Sequence, residues 1–276
     1  IKYSKTLAKK VAENLKIPVY LYEKSATLTS RENLANIRSG EFEGMDKKLS
    51  TKKWAPDYGP LKKHISAGVI AIGARNFLVA YNINLNTRDK KIASDIALDI
   101  REQGRNKRDK KGKFIRDKNG IPLKKPGIFK YCKAVGWYLD EFNIAQISIN
   151  LTNIDETPLH LVFEECRKQA RKRGLRVTGS EIVGLIPLKT IIQAGKFYLK
   201  KQKRSPGIPE KQILKTAIMS LGLNEISSFN YKEKIIDYTI SEKYGELGNK
   251  ELNLFLDELP SSSPAPGGGS VSALAG

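Results

Sequence analysis

Two stretches decide the fold: Asn76-Phe77-Leu78-Val79-Ala80-Tyr81-Asn82-Ile83-Asn84-Leu85 and Ile144-Ala145-Gln146-Ile147-Ser148-Ile149-Asn150-Leu151. The second alternates Ile147, Ile149 and Leu151 with Ser148 and Asn150, and the first ends in the same way. Successive strand side chains point to opposite faces, so this pattern is half-buried β-strand. Between the two lie a helical segment, Asp89 to Gln103, with Ile92, Ile96 and Ile100 on one stripe, and a strand-like run from Tyr131 to Tyr138. Downstream, Thr157-Pro158 reads as an N-cap followed by proline at the first helical position. The helix after it places Val162, Cys166 and Ala170 on one face, Gly174 lies just past its end, and Leu175 to Thr178 reads as a last strand.

In order, residues 76–178 give β-α-β-β-α-β, the ferredoxin-like split arrangement in which two helices cover one face of a four-stranded antiparallel sheet. Upstream, Lys2 to Leu15 carries Leu7, Val11 and Leu15 at four-residue spacing with Ala8 and Ala12 beside them, an amphipathic helix. The β-prone run Val19 to Tyr22 follows, and the pair looks like the close of a similar unit. The segment Ser30 to Leu49 is polar and helix-containing, Trp54 to Pro60 is a loop punctuated by Pro56, Gly59 and Pro60, and Val69 to Ile72 is β-prone. The expected class is therefore α+β, with tandem ferredoxin-like (βαββαβ) subdomains of which the first is truncated. Peripheral helices are expected at Glu181 to Lys200 and Pro209 to Leu221, and a flexible C-terminal tail beyond. In that tail Tyr244 to Asn249 reads as a hinge, Lys250 to Leu259 as a short helix, and Pro260 to Ser270 as a flexible link.

Composition limits the function. The chain has 276 residues, 40% of them apolar, enough for one large or two ordinary domains. No apolar run approaches the roughly 20 residues of a membrane-spanning helix, and mean hydropathy is −0.41. Two cysteines, Cys132 and Cys166, cannot build a disulfide framework and suit a reducing compartment. No secretory signal opens the chain. It begins at Ile1 and stops at Ala275-Gly276 without a terminating element, which reads as a piece of something longer.

The net charge is +20 and the isoelectric point about 9.8, a surface that draws anions such as nucleic acid, acidic membrane or polycarboxylates. The charge is densest from Arg105 to Lys130, where eleven basic residues face only Asp109 and Asp117. A solvated loop is the plain reading of such a run. Nucleic-acid binding would call for interleaved aromatics, and Phe114 and Phe129 do not supply them.

Candidate chemistry is sparse. His160 sits in the first turn of its helix, as a packed or capping residue would. His64 lies in Gly59-Pro60-Leu61-Lys62-Lys63-His64-Ile65-Ser66-Ala67-Gly68, a glycine-bounded loop. Glycine lets a ligand approach the backbone, and Lys62 and Lys63 can meet carboxylates as point charges. Gly267-Gly268-Gly269-Ser270 could present backbone N–H groups to an anion or act as a spacer. No zinc spacing, P-loop, nucleophile elbow or dinucleotide fingerprint occurs.

The run Trp54-Ala55-Pro56-Asp57-Tyr58-Gly59-Pro60 resembles glutamate formimidoyltransferase, as do Ile17-Pro18-Val19-Tyr20-Leu21-Tyr22 and Gly73-Ala74-Arg75-Asn76-Phe77-Leu78. So do Arg101-Glu102-Gln103-Gly104, Gly136-Trp137-Tyr138-Leu139-Asp140-Glu141 and Gly179-Ser180-Glu181-Ile182-Val183-Gly184-Leu185-Ile186-Pro187-Leu188. The order and spacing hold from about Leu7 to Tyr238. Phe255-Leu256-Asp257-Glu258-Leu259 with Pro266-Gly267-Gly268-Gly269-Ser270-Val271 looks like the opening of formimidoyltetrahydrofolate cyclodeaminase, as in the bifunctional formimidoyltransferase-cyclodeaminase. The resemblance implies a layout of 1–75 as the rest of an N-subdomain, 76–240 as a C-subdomain, 241–250 as a linker and 251–276 as the start of a cyclodeaminase-like helical domain. It implies transfer of the formimino group from N-formimino-L-glutamate to N5 of tetrahydrofolate in histidine degradation, with folate held between the two subdomains.

On the same ground the folate segment falls on Gly59, Pro60, Leu61, Lys62, Lys63, His64, Ile65, Ser66, Ala67 and Gly68. Arg75 reads as a carboxylate ligand or a structural arginine. The family's catalytic histidine would lie upstream of Ile1, leaving this piece inactive alone, and neither His64 nor His160 matches it. A polyglutamylated tetrahydrofolate co-substrate, no metal, a cytoplasmic setting, a homo-oligomer and no membrane or nucleic-acid partner complete what the resemblance implies. Lys62 and Lys63 would act near the ligand; the 105–130 run, longer here than in the family, would steer at range or do nothing. A non-catalytic folate-binding module and a basic nucleic-acid-binding module are the competing readings.

Overall fold

The structure, a computed structural model, describes residues 1–240; the expected hinge, helix, flexible link and glycine run beyond lie outside the described residues. The chain divides into two units, Ile1–Leu78 and the residues from Val79 on. In the first, α1 (Lys2–Leu15) lies against two parallel strands, β1 (Val19–Glu23) and β2 (Ile70–Ala74), paired from Val19↔Ile70 to Glu23↔Ala74. Both faces of β1 are covered. Val19 and Leu21 pack with Ala8 and Ala12 of α1, whereas Tyr20 packs with Ile37 of α2 (Leu34–Arg38) and with Met45 and Leu49 of α3 (Met45–Leu49). Two-sided burial is why Val19-Tyr20-Leu21 reads as a continuous apolar run and does not alternate.

The helix at α1 forms where its pattern predicts, but its buried stripe differs. Leu7 and Leu15 are 54% and 55% exposed, while Ala8 and Ala12 are buried. Methyl side chains let the helix approach the narrow strand pair closely. Beyond β1, one buried ion pair fastens the Trp54–Pro60 segment. Arg31 Nη1 meets Asp57 Oδ2 at 2.9 Å, and its Nη2 donates to the carbonyls of Lys53 at 3.0 Å and Ala55 at 2.6 Å. The Asp57 carboxylate also accepts from the Leu21 backbone N–H at 2.8 Å and from the Thr27 hydroxyl.

The second unit is built on β3 (Val79–Leu85), α4 (Lys90–Ile100), β4 (Arg105–Asn106), β5 (Lys124–Lys125), β6 (Cys132–Leu139), β7 (Ile144–Leu151), α5 (Leu159–Lys172) and β8 (Val177–Val183). Four strands form a fully antiparallel sheet in the order β6-β7-β3-β8. Val79, Tyr81, Ile83 and Leu85 of β3 and Ala145, Ile147, Ile149 and Leu151 of β7 point to one face. There they form a single core with Ile96 and Ile100 of α4 and Val162, Cys166 and Ala170 of α5. The helices α6 (Leu188–Lys201) and α7 (Glu210–Leu221) pack on each other and add Ile191, Ala194, Leu214 and Ala217 to the same core, so they are not peripheral. Two short helices, α8 (Tyr231–Lys234) and α9 (Ile236–Ile240), close the described chain.

Several boundaries move for local reasons. Helix α4, expected to reach Gln103, ends at Ile100, because Arg101 is already extended and Gly104 turns with φ +61°. The last strand runs through Gly179 to Val183, so Glu181 belongs to a strand paired with Asn82, and the helix expected from Glu181 begins only after Pro187. Proline has no N–H to continue a helix upstream but fits its entry. Likewise Pro158 is the cap residue of α5, and the Thr157 hydroxyl donates to the Lys130 carbonyl at 2.5 Å.

The basic run is built, not loose. β4 and β5 form the stem of a three-hairpin junction whose other two hairpins are successive octapeptides, Arg108–Ile115 and Arg116–Leu123. In each, the aspartate carboxylate accepts two backbone N–H bonds (Asp109 from Lys111 and Lys113 at 2.9 Å; Asp117 from Asn119 at 2.9 Å and Ile121 at 2.8 Å). In each, the arginine Nη1 donates to a glycine carbonyl at 2.6 Å, Arg108 to Gly112 and Arg116 to Gly120. Backbone bonds close the junction in a ring: Ile115 N to Lys107 O at 3.0 Å, Leu123 N to Ile115 O at 2.8 Å, and Lys107 N to Leu123 O at 2.7 Å. The stem is pinned where Arg105 and Arg173 share Asp95 and Asp99, with contacts of 2.5–2.8 Å from Arg105. Burial opposes ionisation of Asp95, but hydrogen bonds from Arg173 and Arg105 outweigh it and hold its carboxyl below the usual range.

Two outcomes test these contacts. His160 stacks on Phe197 with ring centroids 4.6 Å apart, and burial lowers its pKa from 6.5 despite the nearby Glu164. The unfolded chain therefore binds a proton that the native chain refuses. Stability present above about pH 6.5 falls as pH drops through the depressed native value. Thermal unfolding at about pH 7.5 and 5.5 should show a smaller acid-side loss in His160→Gln than in the parent. Second, Asp57→Ala leaves Arg31 buried without its counter-charge and should destabilise the first unit by about 3–5 kcal/mol in denaturant titrations.

Candidate functional site

The glycine-bounded loop begins where Asp57 is clamped. Tyr58 accepts from Val19 N at 2.8 Å and donates to Val19 O at 3.2 Å, holding the loop's entry on the end of β1. Gly59 follows with φ +92°, and a Cβ there would stand 2.7 Å from the Ile17 carbonyl oxygen, so only glycine makes this turn without displacing backbone. At the far end His64 and Gly68 exchange backbone hydrogen bonds of 2.8 and 3.0 Å. His64 Nδ1 accepts from the backbone N–H of Ala67 at 3.1 Å and of Ser66 at 3.3 Å, so this ring nitrogen organises its own turn. A Cβ on Gly68 would touch the Phe42 ring at 3.0 Å.

The two loop lysines separate. Lys63 lies over the Phe42 ring, 4.1 Å from its centroid, and bonds the Phe42 carbonyl at 3.0 Å and Asp46 at 3.2 Å. Its charge is engaged locally. Lys62 is exposed, as are Leu61, Ile65, Ser66 and Ala67. Beside the loop's end runs a groove of about 910 Å³ lined by Ile37, Phe42, Met45, Gly68, Val69 and Ala71. A smaller hollow of about 370 Å³ lies at Tyr58, Gly59 and Pro60 against Lys9, Ala12 and Glu13 of α1. Arg75 is exposed just past β2 and has no carboxylate within ion-pair distance among the described residues. His160 is buried in the second unit against Phe197, a packed residue as its place in the helix suggested.

The second unit carries a polar surface on the face of the sheet that the alternation of β3 and β7 turns away from the core. On the sheet side away from α4 and α5, one cross-strand row reads Val135-Ser148-Asn82-Glu181 and the next brings Trp137 beside Gln146 and Asn84. Gln146 Nε2 donates to Asn84 Oδ1 at 2.8 Å, and Asn84 Nδ2 donates to Glu225 Oε2 at 2.6 Å. Glu225, from the loop after α7, lies over Gly179, where a Cβ would stand 2.4 Å from its carboxylate. Asn82 Nδ2 reaches Glu181 Oε2 at 3.4 Å. Among the described residues neither Glu181 nor Glu225 has a lysine or arginine within ion-pair distance, although the chain carries +20. The signal was in the sequence: the outward positions of β3 and β7 hold amides and a serine, where other surface positions hold lysine. Among the described residues no cluster of His, Cys, Asp and Glu could hold a metal ion, and no helix is long and apolar enough to cross a membrane.

The chain is similar in sequence to known proteins over nearly its whole length. The model of the formiminotransferase domain family matches residues 80–241, and that of the N-terminal subdomain of the formiminotransferase domain matches residues 1–75. The chain is 42% identical over 275 residues to the formimidoyltransferase-cyclodeaminase of Dictyostelium discoideum, covering 98% of this chain and 48% of that protein. With that of Rattus norvegicus it shares 40% identity over 272 residues, 98% of this chain and 47% of the relative. With the glutamate formimidoyltransferase of Streptococcus pyogenes serotype M1 it shares 42% over 200 residues, 72% of this chain and 60% of the relative. The chain thus spans about half the length of the bifunctional relatives. The boundary between the two matched regions falls at the junction of the two structural units, and the chain belongs to the formiminotransferase family.

Proposed function

We propose that the protein carrying this chain is a glutamate formimidoyltransferase, moving the formimino group from N-formimino-L-glutamate to N5 of tetrahydrofolate in histidine degradation. Residues 76–240 then form a ferredoxin-like C-subdomain, 1–75 belong to a second such subdomain, and 241–276 lead into a cyclodeaminase, as in the bifunctional relatives. Family membership supports the reaction class. The observation that carries the assignment of residues is the half-buried Glu181, a carboxylate with no lysine or arginine within ion-pair distance among the described residues of a strongly basic chain.

The chemistry explains why such a group is useful. The donor's formimino group is an amidine, protonated at neutral pH, with N–H bonds that a carboxylate accepts. Glu181 holds the amidine and favours its cationic form, which raises the electrophilicity of its carbon. The N5 lone pair attacks that carbon, the new C–N bond forms, and N5 gives up its proton. The old C–N bond breaks as the glutamate nitrogen takes a proton and leaves as an amine. Positioning both reactants can contribute on the order of 7–11 kcal/mol when orientation is ideal. The Gly59–Gly68 loop holds the folate, with its glycines admitting close approach and Lys62 meeting the glutamate carboxylates of a tail that is polyglutamylated in the cell. Arg75, exposed and with no carboxylate within ion-pair distance among the described residues, meets a substrate carboxylate. The proton transfers are not assigned to His64, which bonds its own turn, or to His160, which is buried. A reducing, cytoplasmic setting suits the two free, buried cysteines, Cys132 and Cys166; burial pushes the Cys132 thiol up to about 12.

Glutamate release that requires both formiminoglutamate and tetrahydrofolate is the direct test, and release without folate would overturn the assignment. Glu181→Gln should lower kcat/KM for formiminoglutamate about 10- to 100-fold, the worth of a charge-assisted hydrogen bond, while folate affinity stays the same. Lys62→Gln should weaken folate binding roughly two- to fivefold at low salt, and the difference should vanish as salt rises.

A further inference from the structure

We propose that the three-hairpin junction at residues 105–125 is a docking surface for single-stranded nucleic acid, separate from the transferase site. Its cations are available. Lys107, Lys110, Lys111, Lys113, Lys118 and Lys124 are exposed, and none lies within ion-pair distance of a carboxylate among the described residues. The opposing acids are consumed by the fold: Asp109 and Asp117 each turn their carboxylates onto two backbone N–H groups of their own hairpins. A run that sequence alone leaves as a solvated loop therefore displays its charge on a closed hydrogen-bonded frame, pinned to α4 through Arg105.

The second ingredient is apolar. Between the junction and α4 lies a groove of about 990 Å³. Leu98, Phe114, Ile115, Ile121 and Pro122 line it, and the exposed Lys107, Lys124 and Lys125 supply its cations. Phe114 is 40% exposed and carries the Arg108 guanidinium 4.2 Å above its ring centroid. The sequence offered too few aromatics for nucleic-acid binding. The fold supplies the missing surface by bringing Leu98 of α4, and Ile121 and Pro122 of the second octapeptide, into one groove with Phe114 and Ile115 of the first. A polycarboxylate would satisfy the lysines and leave this floor wet. A single strand offers phosphates to the cations and unstacked bases to the floor, the pairing that sequence-tolerant single-strand binders use.

The test measures fluorescence anisotropy of a labelled oligouridylate of about 12 nucleotides with the whole chain. With about four phosphates neutralised, log K should fall against log salt with a slope of roughly −3, a loss of roughly 50-fold between 50 and 200 mM salt. K107Q/K124Q/K125Q should flatten that slope by about 2 and weaken binding at least tenfold, whereas K2Q/K5Q/K10Q, which removes the same charge from α1, should leave both unchanged. Phe114→Ala should weaken binding at least about fivefold without altering the slope, and Phe114→Trp should restore it and show fluorescence quenching by the bases. Equal losses in both lysine triples would overturn the proposal. So would displacement of the oligonucleotide by poly-L-glutamate at matched charge together with indifference to Phe114→Ala, or binding to phosphatidylserine vesicles without binding to the strand.

Discussion

The two-residue period of β3 and β7 is the constraint on which the second unit depends. Ile83 opposite Ile147 and Tyr81 opposite Ile149 fill the core, and the same register obliges Asn82 to face Ser148 and Asn84 to face Gln146 on the other side. A slip of one residue would exchange the faces entirely, burying four polar side chains under α4 and α5. The core thus fixes the polar rows, and they fix where Glu181 stands. Asn84 and Gln146 are themselves buried, so each must find partners within the protein. They do so through Glu225, whose approach depends on Gly179 having no side chain.

The first unit solves a different problem with the same economy. A loop that presents backbone to a ligand needs a stiff base, because a flexible one would lose conformational entropy on every binding event. Asp57 supplies that base by joining β1, Arg31 and Thr27 at one carboxylate. The motif Trp54-Ala55-Pro56-Asp57-Tyr58-Gly59-Pro60 is therefore a structural clamp followed by a turn. Tyr20 stands against it, its hydroxyl on the Trp54 carbonyl and burial pushing its pKa up to about 12.

Much of this was legible in the sequence, and the limits have identifiable causes. Alternation revealed β3 and β7 because one face of each is apolar and the other is not. The end of β8 was hidden because Gly179 and Glu181 sit on the polar face and look like a turn and a helix start, although the strand continues through both. The exposed Leu7 and Leu15 misled because spacing records hydrophobicity and is silent on how closely two elements must approach. The Gly59–Gly68 segment stood out through its glycines, but the different fates of Lys62 and Lys63 depend on Phe42 and Asp46, residues with no sequence relation to them. The amide rows were visible as residues but not as a surface, because no single strand contains one.

The hydrogen-bonded ring at Lys107, Ile115 and Leu123 has a consequence for how such a chain can change. Each octapeptide leaves the ring and returns to it at adjoining corners, so its length is invisible to the stem, and the stem alone communicates with the sheet. An insertion of a whole octapeptide enlarges the ornament and leaves the ladder between Arg105 and Lys125 in place. Duplication of short coding segments can therefore lengthen this connection stepwise, adding net positive charge each time (+3 for a copy of the first octapeptide, +1 for a copy of the second), while the strands that bear the amide rows keep their register.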